Sequence, residues 1–141
     1  MANEATITKG SYVSLIASEQ ELDAAFCTLS GALSGVLSAA EQTYPTLDFR
    51  FTTATDIPTE GGTVNLYRVP SDGTTDSPTP TSAYTKHYVG SFVLDNVAAA
   101  AYYLYGVENV SENDKFIWEN NNGSTVTGEL SVRARTVGPA A

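Results

Sequence analysis

The segment from Lys115 to Arg135 constrains this chain most. Two runs rich in β-branched and aromatic residues, 115–119 and 125–135, flank the polar turn formed by Asn120, Asn121, Asn122 and Gly123. Asn and Gly both accept the positive φ that a primed turn needs, so the pattern predicts a strand, a tight turn and a strand: a hairpin. In the second run Val126, Leu130 and Val132 fall on one face, and Thr127, Glu129, Ser131 and Arg133 on the other. That period of two belongs to a half-buried strand. An antiparallel β scaffold follows for the whole molecule.

The rest of the chain extends this reading. Leu47, Phe49 and Phe51 alternate with Asp48, Arg50 and Thr52, which predicts a strand with its apolar side inward. Residues 63–69 predict another, with Val64 and Leu66 on one face and Asn65 and Tyr67 on the other. Further strands are expected over 11–16, 86–94 and 103–108. Ser18 stands three residues before Glu21, the spacing of a capping box, so a short helical segment is expected near residues 18–26. Over residues 31–40, Leu33, Val36 and Leu37 fit a helix, whereas Gly35 argues for a loop or bulged strand. The first ten residues are polar and unpatterned, which predicts an N-terminal arm. The single domain is then 11–138, with a long loop at 70–85 stiffened by Pro78 and Pro80. Short strands at regular spacing, punctuated by Gly, Pro and Asn turns, indicate a β-sandwich or barrel.

Composition narrows the function. With 141 residues the chain can bury a core without disulfides or metals. Its net charge of −9 repels a phosphate backbone, so no nucleic-acid partner is expected. The 7 basic residues are scattered, and only Arg133 and Arg135 stand together, on one face of a predicted strand. No apolar run is long enough for a membrane span, and the N-terminus lacks the pattern of a secretory signal, so folding in a cytoplasm is expected. Cys27 is the only cysteine and reads as a small buried apolar residue.

Reactive chemistry finds little support. His87 is the only imidazole, without an adjacent nucleophile or a second metal ligand. Glu60, Asp72, Asp76, Glu112 and Asp114 all sit in turn clusters, where carboxylates are ordinary. The run from Asp72 to Asp76 lacks the acidic ladder of a calcium loop. Gly61 and Gly62 lack the Lys of a phosphate-binding loop. The chain is therefore expected to be no enzyme and to hold neither metal nor cofactor. Tyr102, Tyr103, Tyr105 and Trp118 could stack on a sugar, but aromatics in a small sandwich more often form core or interface.

From Gly62 to Arg135 the chain resembles small structural proteins of tailed-bacteriophage virions. The resemblance rests on the strand 62–69, the loop Ser71-Asp72-Gly73, the strand Val89-Gly90-Ser91-Phe92, the strand Asp114–Trp118 and the Asn-rich turn before the closing strand. The members most like it are capsid decoration, or cement, proteins with a jelly-roll sandwich. The resemblance implies an all-β, antiparallel jelly-roll-like β-sandwich that sits on the outer capsid surface. It implies as partners the major capsid protein and further copies of the chain, as dimer or trimer. Ile7, Tyr12, Tyr102, Tyr103, Trp118, Arg133 and Arg135 are the candidate interface residues. Two other readings share the fold logic: a phage tail or collar structural protein, and a carbohydrate-binding module.

Overall fold

Strand β4 (Thr46–Thr53) sets the pattern of the core. Its inward Leu47, Phe49 and Phe51 are fully buried, while Arg50 and Thr52 on the other side are half-buried. In a computed structural model, which describes residues 5–21, 25–42, 46–55, 57–81 and 86–139, this strand lies inside one of two antiparallel sheets. The other strands are β1 (Ala5–Lys9), β2 (Val13–Glu21), β3 (Ala25–Phe26), β5 (Thr63–Val69), β6 (Tyr88–Val93), β7 (Ala101–Val107), β8 (Lys115–Asn121) and β9 (Val126–Pro139).

The topology is that of a jelly roll. Strands equally far from the middle of the chain pair with each other: β2 with β9, β3 with β8, β4 with β7, and β5 with β6. The long ribbon so formed folds over, joined by β4–β9 and β5–β8 pairing. One sheet runs β2-β9-β4-β7, with β1 continuing the line of β2 along β9; the other runs β3-β8-β5-β6. This is the sandwich that two Greek keys produce.

Facing side chains fill the space between the sheets. The Phe49 and Phe116 rings lie 4.8 Å apart, and Phe51 meets the Trp118 edge at 5.1 Å. The Phe51 ring lies over Gly128 of β9, where a Cβ would drive into it. Cys27 is buried and its Sγ accepts the Trp118 N–H at 3.2 Å, in line with its expected core role.

Three expectations change and one open segment resolves. The two strands around the Asn turn are real, with Val126, Leu130 and Val132 inward and fully buried. They do not pair as a hairpin, however, because β8 belongs to one sheet and β9 to the other. The turn, with Gly123 at φ 82°, carries the chain across the sandwich. Asn122 serves there as a clamp: its Oδ1 accepts the Thr59 N–H and its Nδ2 donates to the Thr59 carbonyl, both at 2.8 Å. The helical segment near 18–26 is absent among the described residues. Residues 18–21 finish β2 and 25–26 form β3, while 22–24 lie outside the described residues. Ladder bonds offered by β9 outweigh a weak local helical preference. Residues 5–9 of the supposed arm form β1, which pairs with β9 from Arg135 to Pro139. Residues 31–40 resolve to a short 3-10 turn, Leu33–Gly35, that buries Leu33.

Candidate functional site

The outward face of the β1/β2-β9-β4-β7 sheet gathers the side chains that stand out chemically. Its organiser is Asp48 of β4, whose side chain is fully buried. A bulge places it: two β7 residues, Tyr105 and Gly106, oppose Asp48 between the pairs Leu47–Val107 and Phe49–Leu104. Gly106 takes φ 69°, which a side chain resists, and its N–H donates to Asp48 Oδ1 at 3.1 Å. Across β9, Arg133 Nε donates to Asp48 Oδ2 at 2.9 Å, and Arg135 donates from Nε at 3.1 Å and reaches Oδ1 with its terminal nitrogen at 2.8 Å. Burial pushes the Asp48 pKa up, but hydrogen bonds from Arg135, Arg133 and Gly106 outweigh it and hold the carboxyl below its ordinary value.

Aromatic rings and guanidinium groups form a continuous row above this anchor. Arg50 and Arg133 each lie 4.6 Å from the Tyr12 ring centre. Tyr12 meets Tyr103 at 6.2 Å; Tyr103 stacks on Tyr105 at 5.6 Å with planes 6° apart; Arg135 stands 6.0 Å from Tyr105. Burial raises the Tyr12 pKa despite nearby Arg133, so its phenol stays neutral. Neither Tyr12 Oη nor Arg50 Nε has a hydrogen-bond partner among the described residues, although both atoms are buried. Beside Arg50 lies an open depression of about 400 Å³, bordered by Ser18, Thr52, Ala101 and Glu129.

Charge is segregated on this face. Register puts Lys9, Arg50, Arg133 and Arg135 outward together with Asp48 and Glu129. Four basic residues against two carboxylates leave it a net +2; the three remaining basic residues share the rest of the sequence with fourteen carboxylates, a net −11.

Of the candidate interface residues, Tyr12, Tyr103, Arg133 and Arg135 come together here. Ile7 lies on the same face further along, 64% exposed on β1. Two do not belong. Trp118 is fully buried between the sheets, because β8 turns its even-numbered side chains inward. Tyr102 points inward against the core, and its Oη accepts the Asp95 N–H at 3.0 Å. Asp48 and Arg50 were legible only as outward residues of a strand. Their approach to Arg133 depends on β4 pairing with β9, which their spacing along the chain does not reveal.

A second groove, of about 410 Å³, opens where β6 and β7 diverge. Arg68, His87, Tyr88, Tyr105 and Asn109 border it. His87 and Asn109 hold φ of 54° and 59°, and Arg68 donates to the Asn109 carbonyl. The turn carboxylates behave as turn residues: Asp72 Oδ1 accepts the Thr74 and Thr75 N–H groups, and Asp114 accepts that of Ser111. Among the described residues no cluster of three His, Cys, Asp or Glu side chains is arranged to hold a metal ion. None of their helices is long and apolar enough to cross a membrane. The sequence matches no family model, and no curated protein emerges as a relative.

Proposed function

We propose that the chain is a structural protein of a tailed-bacteriophage virion, which decorates the outer capsid surface and cements neighbouring major-capsid subunits. The observation that carries this reading is one cationic and aromatic sheet face on an otherwise acidic jelly roll. Such a molecule is built to adhere by one side. Its acidic remainder suits the outside of a shell, away from packaged DNA. Icosahedral shells repeat the same junction many times, so symmetric oligomers attached at several points gain avidity from modest individual contacts. The resemblance of residues 62–135 to decoration proteins supplies the virion; the face supplies the means of attachment.

Particle composition tests the reading. Purified virions of the encoding phage, analysed by mass spectrometry and cryo-EM, are expected to carry the chain at high copy on the capsid exterior. Absence from the particle ends the reading, and a few copies at the neck make it a collar or tail protein instead. A glycan-binding module is the second reading, favoured by the exposure of Tyr103 and Tyr105, at 45% and 60%. A glycan array without hits removes it.

A further inference from the structure

We propose that the outward face of the β1/β2-β9-β4-β7 sheet docks a carboxylate-rich segment of a partner protein, with Arg50 as its principal contact. This deepens the adhesive reading above and rests on it. Arg133 and Arg135 already share Asp48, whereas Arg50 makes no ion pair among the described residues. Its guanidinium is held over the Tyr12 ring, which fixes the plane and lowers the entropy lost when its fork meets a carboxylate.

The row of rings argues for an acidic polypeptide over a sugar. A sugar needs an open aromatic face to stack on. Here Tyr103 and Tyr105 turn faces toward each other, Arg135 approaches Tyr105, and Tyr12 is flanked by two guanidinium groups. What the face offers outward is the half-exposed guanidinium groups of Arg133 and Arg135 and the exposed Tyr103 and Tyr105, whose positive ring edges and N–H donors favour anions. The donors are spread over β9, β4 and β7, neighbouring strands about 4.8 Å apart, which suits an extended segment bearing several carboxylates more than one small anion. Glu129 also borders the depression beside Arg50 and, among the described residues, is the one place there where a carboxylate would be repelled. A second copy is a poor occupant: a twofold contact through this face presses one net +2 surface on another.

Fluorescence anisotropy with labelled oligoglutamate tests this on the isolated chain at low salt. Binding is expected, weakening as salt rises. Arg50→Ala is expected to lower affinity by about tenfold or more, the consequence of removing one partner of a paired charge. Arg50→Lys, which keeps charge and bulk and so guards against misfolding, is expected to lose part of the affinity. Lys86→Ala, the same charge change off this face, is expected to leave it unaltered. No binding, an unchanged affinity in Arg50→Ala, or an equal loss in Lys86→Ala overturns the proposal. So does oligogalacturonate or oligothymidylate binding as tightly as oligoglutamate, or self-association abolished by Arg50→Glu. Failure here with the chain abundant on virions removes the docking chemistry alone; absence from virions removes the cement reading and with it the ground for this proposal, whatever the peptide assay reads.

Discussion

The two outer faces of the sandwich start from similar strands and end differently. On the β3-β8-β5-β6 sheet the chain closes its own surface. Val69, Tyr67 and Ile117 occupy outward positions yet are buried, at 0%, 5% and 4% exposure. Polar groups there satisfy one another: Ser91 donates to Asn65, and Asn65 and Tyr67 donate to Glu119. Phe26 and Tyr88 pack against Tyr67, and Lys115 reaches Asp76 of the loop after β5 at 2.8 Å. On the opposite sheet, nothing comparable covers the tyrosines and arginines among the described residues, and Tyr12 Oη and Arg50 Nε lack partners. A buried polar atom without a partner costs about 1–3 kcal/mol. One face is closed by its own side chains, and the other leaves exposed tyrosines and half-exposed arginines for a partner to cover.

The sharpest way to break this contrast is to remove its charged anchor. Asp48→Asn is expected to cost about 3 kcal/mol in urea unfolding, since it leaves Arg133 and Arg135 side by side without their buried carboxylate. A loss near zero would mean the arginines are held by ring packing alone.

Acid removes the same support. The folded Asp48 pKa lies below its unfolded value of about 4, so its contribution is complete above that pH and fades as pH falls through the folded pKa. The urea midpoint of the parent chain is expected to lead that of Asp48→Asn at neutral pH, the two converging on acidification below pH ~4. On the closed face, Glu119→Gln keeps an acceptor for Asn65 and Tyr67 and is expected to cost about 1 kcal/mol, measured in the same way. Smallest of all, the exposed pair Tyr103→Ala and Tyr105→Ala is expected to change stability by about 0.5 kcal/mol or less each. A larger loss would make the tyrosine row structural.

Strands with one dry side were legible in the sequence. The alternation at Leu47, Phe49 and Phe51, and again at Val126, Leu130 and Val132, follows from burial alone, and these side chains are fully buried. Partnering was not legible. The Asn turn reads locally as a hairpin, yet Asn122 spends its amide on Thr59, far along the chain, and the flanking strands part into different sheets. β2 was obscured because it lies at an edge and is bulged twice against β9, so Ser18, Glu19 and Gln20 carry no alternating pattern. The site was half legible for the same reason. Arg133 and Arg135 announce their shared face by spacing, while Asp48 and Arg50 join them only through the β4–β9 register.

The measurement that bears most directly on the account is a map of where an acidic peptide lands. In an amide chemical-shift titration with oligoglutamate, the largest changes are expected at Tyr12, Arg50, Tyr103, Tyr105 and Arg133, with Asn65, Tyr67 and Glu119 unmoved. Changes centred on Asn65, Tyr67 and Glu119, or spread evenly over both sheets, would contradict it.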